Sequence, residues 1–491
     1  MNHSRMIRLV STLGVVLALL NCAKEDVIVV SSAKVPVTTK SSLAATEFQK
    51  GMVFANNLQT VQAAKHFRLA LDADPTFASA WLNLAYVSPG TALFVAYLDS
   101  AKAYAPHASK GEQLIIKAAK YGFEGNNTKQ EQALQNLIEM FPGDENAHLL
   151  LGNYYFGLRQ YHQAILAYTQ ATEVNINLPI LHNQLGYSQR ALGNYGEAEK
   201  AFKYYIKLNS DKPNAYDSYA ELLMEMGRFN ESIEFYAKAL EQDPNFVSSH
   251  IGIACDYIFL GEQNNARNQL EILKDNARNV IDTRRAIFTE ALTYVSEGNR
   301  SKAIKTLQSS LKLSEASHDV GNMANDLAAI GNLYLEYDQP SEALARFNQS
   351  IDVIDKSDLP QAVKINVRTT HLLNVSRVFA AKGEFEKARE TSALFAEQVG
   401  IRNNPIQVKL ISQLNGIIAL EEKKYQVAID FLGEANQLNP YNLYRIGLAY
   451  AGLGEAEKAA SFMLQAEELN VLNSIDQALV LSKTRFSNKP A

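Results

Sequence analysis

The chain has 491 residues, 47% of them apolar and 20% charged, with 13 prolines and 25 glycines, a composition that buries a large core and excludes intrinsic disorder or collagen as the main state. With 47 Lys and Arg against 52 Asp and Glu, the net charge of −5 is too acidic for a protein whose main partner is a phosphate backbone, so no nucleic-acid partner is expected. Two cysteines, Cys22 and Cys255, are too few for a disulfide scaffold or a structural zinc site.

The first element is an export signal. Arg5 and Arg8 precede an apolar stretch from Leu9 to Leu20 that is broken only by Ser11, Thr12 and Gly14. Residues 1–21 therefore read as a signal peptide. The apolar core is well short of the roughly 20 residues that span a bilayer. The ending Leu19-Leu20-Asn21-Cys22 resembles a bacterial lipobox, with Asn21 where that motif carries Gly, Ala or Ser. The resemblance implies cleavage before Cys22 and a diacylglyceryl group on its sulfur. Ala23-Lys24-Glu25-Asp26 resembles the Lys-acid-acid tag that routes lipoproteins to the cell surface in Bacteroidetes. Together these imply a lipoprotein of the outer membrane, on its periplasmic or cell-surface side. Removal of residues 1–21 takes two Arg and no acid, so the balance becomes 45 − 52 = −7 and the anchor is lipid rather than basic charge. Residues 22–43, rich in Val, Ser, Thr and Lys without helical periodicity, read as a flexible tether with a reach of about 25 Å.

The rest is a repeat. A small residue recurs with a second small residue twelve positions later at Gly51 and Ala63, Gly152 and Ala164, Gly186 and Ala198, Ala220 and Ser232, Ala254 and Ala266, and on to Gly447 and Ala459. Four positions beyond the second small residue stands a large apolar one, such as Phe67, Tyr168, Phe202, Tyr236 and Phe347. These are helical spacings. Asp74-Pro75, Asp243-Pro244 and Asn439-Pro440 close units, since Pro suits the start of the next helix. The pattern resembles the tetratricopeptide repeat, a helix-turn-helix unit of about 34 residues. The implied fold is all-α: an α-solenoid of about twelve stacked hairpins forming a right-handed superhelix. Residues 44–282 form the regular array, 283–471 an array with longer helices, and 472–491 a C-terminal capping helix. The units after Ala85 and around Ala118 depart from the pattern, with Tyr97 and Gln130 where small residues are expected. The aromatic residue is expected to fill the gap to the neighbouring hairpin.

Chemistry leaves no linear trace. The nine His form no metal-binding pattern, and no phosphate loop appears, because Gly193-Asn194-Tyr195-Gly196 reads as a hairpin turn. No catalytic residue, metal or cofactor is expected, and the chain is not expected to be an enzyme. In stacked repeats of this kind the first helix of each hairpin lines a concave groove. The residue after the packing Gly or Ala, and the one four before it, give Leu149 and Asn153, Asn183 and Tyr187, Asp217 and Glu221, and Ile251 and Cys255. Asn153, Asn183, Tyr187, Asp217 and Glu221 are the candidate peptide-binding residues, since Asn both donates to and accepts from a peptide backbone. The two acids favour a neutral or basic peptide. The expected function is a lipid-anchored scaffold of the bacterial envelope that holds a protein or peptide partner. The alternative is a sensor or relay module acting with a separate regulatory effector, because Gly321 to Ser350 resembles repeats found beside kinase and transcription-factor domains.

Overall fold

The computed structural model describes residues 34–57, 59–400 and 405–485, so Cys22 and the export signal lie outside the described residues. Helices pair in chain order. The first six hairpins are α1 (Ser42–Asn56) with α2 (Thr60–Ala73), α3 (Ala78–Tyr86) with α4 (Thr91–Tyr104), α5 (Lys110–Phe123) with α6 (Asn127–Met140), α7 (Glu145–Gly157) with α8 (Tyr161–Val174), α9 (Pro179–Ala191) with α10 (Tyr195–Leu208), and α11 (Pro213–Glu225) with α12 (Phe229–Gln242). The second six are α13 (Val247–Leu260) with α14 (Gln263–Asp275), α15 (Val280–Ser296) with α16 (Arg300–Ala316), α17 (Val320–Glu336) with α18 (Pro340–Asp355), α19 (Gln361–Ala381) with α20 (Phe385–Gly400), α21 (Pro405–Glu421) with α22 (Tyr425–Glu434), and α23 (Pro440–Gly452) with α24 (Ala456–Glu467). A single helix, α25 (Ile475–Arg485), follows. The architecture is an all-α solenoid of twelve hairpins among the described residues. From α15 to α21 the helices lengthen, reaching 21 residues in α19. No described helix is long and apolar enough to cross a membrane.

The start and end of each helix follow from local chemistry. Pro179, Pro213, Pro340 and Pro440 open their helices, where the missing N–H costs nothing. Ser109 and Glu112 form a reciprocal capping box at the start of α5. Gly193 turns α9 into α10 with φ of +74°, a conformation that a side chain opposes.

Packing within a hairpin rests on close approach. A Cβ added to Gly152 would stand 2.3 Å from the Tyr168 ring, and one on Gly186 2.6 Å from Phe202. The large residue therefore seats first on the small residue of its own hairpin. Tyr236 also serves the neighbouring hairpin, since its ring would lie 2.1 Å from a Cβ on Gly252. The irregular unit α5–α6 restores the fit by a different residue: Gln130 stands 2.7 Å from where a Cβ on Gly122 would be.

Part of the segment read as a flexible tether is pinned. From Lys34 to Ser41 the chain runs as a strap past the starts of α3, α5 and α7. The Val35 N–H donates to Asp144 Oδ2 at 2.7 Å, Lys34 Nζ pairs with Glu145 at 2.7 Å, the Thr38 N–H donates to Glu112 at 3.1 Å, and the Thr39 hydroxyl donates to Asp74 at 2.6 Å. Val35 enters the apolar cluster around Leu137, Phe141 and Ala147. Four acids, three at helix starts and Asp74 at the end of α2, thus hold a segment whose own sequence has no helical period. Helix α1 begins at Ser42, within the range assigned to the tether.

Distant hairpins also meet. Asn209 donates to Asn57 at 3.2 Å, and Asn470 donates to the Glu225 carbonyl at 3.4 Å. A Cβ on Gly321 would stand 2.9 Å from Thr91 Oγ1, and one on Gly90 3.1 Å from Asp319, so the α3–α4 turn abuts the start of α17. Helix α25 packs against α15 as well as α23 and α24. It is more than a cap on the last hairpin: Ala478, Leu479, Val480 and Leu481 join Ile251, Cys255, Ile258, Phe259 and Leu292 in one buried cluster.

Candidate functional site

The candidate residues stand on the first helices of three successive hairpins, α7, α9 and α11, but only some remain available. Asn153, near the end of α7, is exposed. Its Oδ1 accepts from the Tyr168 hydroxyl at 2.8 Å and from Gln184 Nε2 at 2.9 Å, while its Nδ2 makes no hydrogen bond among the described residues. Tyr187, on α9, packs edge-on against Phe202 with ring centres 5.2 Å apart and donates to Ser218 Oγ at 3.1 Å. The Arg190 guanidinium lies over its ring at 4.7 Å. Leu149 is buried.

Three of the five peptide-binding candidates are corrected. Asn183 is 5% exposed, with its Oδ1 enclosed and unpartnered, so its amide does not line an open groove. Asp217 is 2% exposed and accepts from Ser249 Oγ at 2.7 Å. Burial, with the Glu221 charge adding to it, pushes its carboxyl up to about 8. Glu221 pairs with Arg190 at 2.9 Å, and the same guanidinium reaches Glu225 at 3.2 Å. Asp217 is thus enclosed and Glu221 shares one guanidinium with Glu225, so neither stands as a free carboxylate facing a ligand, and the preference for a basic peptide loses its basis.

Ile251 and Cys255 are covered by the chain itself. Cys255 is 3% exposed, and burial raises its thiol to about 12, far from the thiolate a reactive cysteine needs. Arg485 of α25 donates to the Phe259 carbonyl at 2.6 Å, and Thr289 donates to Asn473 at 2.8 Å. The face of α13 and α15 that carries Cys255 and Leu292 thus already holds a helix, by apolar burial fixed with a few hydrogen bonds.

A second feature escaped the sequence reading. Glu336, at the end of α17, is the hub of a buried charge cluster in which Arg377 lies at 3.4 Å, Arg445 at 3.5 Å and Lys483 at 3.7 Å, with the Tyr441 hydroxyl also donating to it. Burial opposes its ionisation, but Arg445, Arg377, Tyr441 and Lys483 outweigh it and hold the carboxyl below its ordinary value. Its members come from α17, α19, α23 and α25, so no linear spacing could have revealed it. Among the described residues, no group of three or more His, Cys, Asp and Glu is placed to hold a metal ion.

Comparison with known proteins bears on the repeats. A tetratricopeptide repeat model matches residues 145–175 and 441–470, and a model described as the second ARM domain of tetratricopeptide repeat protein 21 matches residues 188–318. The chain is 23% identical over 326 residues to Protein CTR9 homolog of Arabidopsis thaliana, covering 63% of this chain and 27% of that protein. It is 24% identical over 263 residues to anaphase-promoting complex subunit CDC16 of Saccharomyces cerevisiae, covering 53% and 27%. It is 24% identical over 341 residues to Protein O-mannosyl-transferase TMTC3 of Homo sapiens, covering 65% and 33%. The chain spans about a third or less of the length of these curated relatives. Among solved structures, a tetratricopeptide repeat protein from Parabacteroides merdae aligns with a TM-score of 0.38 and 15% identity, covering 55% of this chain and 98% of that one. The helix pairing, the small residues under aromatic rings and the matched models agree: the chain carries tetratricopeptide repeats, stacked as an all-α solenoid.

Proposed function

We propose that this chain is a lipid-anchored scaffold of the bacterial envelope that holds a protein partner on its inner face and performs no chemistry itself. The observation that carries the reading is α25: the inner face of α13 and α15 binds a helix of this same chain through Ala478, Leu479 and Leu481, so the face is built to take a protein segment. On α7 and α9 the corresponding face offers Asn153, Gln184 and Tyr187, with the Asn153 amide N–H groups open to a ligand carbonyl. With Asp217 enclosed and Glu221 paired, the segment suited to it is neutral. The envelope location rests on the signal pattern of residues 1–21 and on Cys22.

The test is affinity purification of the full chain from membranes, with parent, Asn153→Arg and Cys22→Ser proteins side by side. The partner is expected with the parent and lost with Asn153→Arg, while Cys22→Ser moves the chain from the detergent phase to the aqueous phase. Retention of the partner by Asn153→Arg would remove the inner-face reading, and membrane partitioning of Cys22→Ser would remove the lipid anchor.

A further inference from the structure

Between the α3–α4 turn and the starts of α15 and α17 lies a cavity of about 450 Å³. That volume falls in the range of small-molecule sites. One wall is Ser88 to Thr91, and the others carry Arg284, Arg285 and Phe288 from α15, Asn325 from α17, and Asn473. The cavity exists because Gly90 and Gly321 let two segments more than 200 residues apart meet at its rim.

Its polar groups are unequally engaged. The Asp326 carboxylate is saturated, accepting two bonds from Arg284 at 2.8 and 2.9 Å, one from Ser310 at 3.0 Å and one from Ser314 at 2.6 Å. Arg284 Nε is buried without a partner. Arg285 has no carboxylate within 4.0 Å among the described residues, and its one hydrogen bond is long, 3.5 Å to Ser248. The acids that face it are each engaged elsewhere: Asp282 with Arg278 at 3.4 Å, Glu221 with Arg190 at 2.9 Å, and Asp217 with Ser249 at 2.7 Å. Arg285 and Asn325 are both solvent-exposed members of this lining, open to a ligand, and the protein packed around Arg285 lowers its pKa. The Asn325 side chain makes no hydrogen bond among the described residues, and that of Asn473 uses only its oxygen, accepting from Thr289. The lining is thus one cation in excess, with spare N–H donors and no spare carboxylate, beside the apolar surface of Phe288 and Ala329.

We propose that this cavity binds a small organic monocarboxylate, its carboxylate on Arg285 and the Asn325 amide and its apolar body against Phe288 and Ala329. A second negative charge would find no second free cation. A neutral isostere would leave Arg285 unpaired, and so would lose the charge-assisted hydrogen bonds that set the preference.

The experiment titrates the full chain with phenylacetate and with phenylacetamide by calorimetry, up to millimolar concentrations. Phenylacetate is expected to bind about ten- to a hundredfold more tightly than the amide, and Arg285→Gln to erase that difference. Arg285 lies outside the apolar clusters, so the variant is expected to keep the parent's helical circular dichroism. Asn325→Leu, which removes the amide donor and narrows the cavity, serves as a second variant and is expected to weaken phenylacetate binding. Absence of phenylacetate binding to the parent, equal affinity for acid and amide, or full affinity in both variants would each overturn the proposal.

Discussion

At Gly186 the fold depends on a missing methyl group, because a Cβ there would stand 2.6 Å from Phe202, closer than real contacts allow. Gly186→Leu is expected to lower stability by about 1–3 kcal/mol, the usual cost of overpacking. Asn194→Ala, in the adjacent turn with only an exposed bond to Gln189, is expected to stay within about 0.5 kcal/mol of the parent. Chemical denaturation of the two variants checks both values. Asp256 is the opposite case, a carboxyl at 0% exposure whose two oxygens have no partner. Burial raises it to about 8, with Ser232 nearby opposing the shift. A carboxyl that holds its proton more tightly folded than unfolded binds more protons in the native state, so its effect on stability worsens as pH climbs from the ordinary carboxylate range toward that value. Asp256→Asn is therefore expected to melt higher than the parent near pH 8 and to lose the advantage near pH 4. An advantage independent of pH would mean that Asp256 is ionised in the fold.

Among the elements, α25 has the most direct readout, because it is what hides Cys255. Removing residues 472–491 in a Cys22→Ser background is expected to leave the twelve hairpins helical and to expose the Cys255 thiol to maleimide, which the intact chain should resist. A thiol that stays unreactive would mean that other residues cover the inner face. This element also shows what a sequence can and cannot reveal. Most hairpins were legible because they repeat one local contact, as Gly152 does with Tyr168 and Gly186 with Phe202. The turn at Gly193 was legible for the same reason. The burial of Ile251 and Cys255 was not, because it is imposed by residues that hold no fixed spacing to them; α25 covers Cys255 from more than 200 positions away. The strap failed differently. Lys34 to Ser41 carry no pattern, and their order comes from acids at the ends of other helices.

For the whole molecule, Glu336 is where closure is fixed, since it ties α17 to α19, α23 and α25. Glu336→Gln would leave the buried Arg377 and Arg445 guanidinium groups without their counter-ion, and is expected to cost about 3–5 kcal/mol, seen as an earlier denaturation midpoint. Because the Glu336 carboxyl lies below its ordinary value, the stability it confers is complete above the unfolded carboxylate range and fades as pH falls through the lowered value. Acid should thus expand the parent in small-angle scattering and change the variant less. The seating of α25 on α15 also bears on time. A simple stack of repeats completes itself from neighbour to neighbour, with each unit fixed soon after it is made. Here the contact between Arg485 and Phe259 bridges 226 positions, so it cannot form until all twelve hairpins have left the ribosome. The closure of so long a loop is an entropic step that local winding does not share, which gives renaturation a late phase. Until that phase ends, the apolar stripe of Ile258, Phe259 and Leu292 stands open to water, and a nascent chain halted before α25 would present it to any chaperone that grips apolar segments.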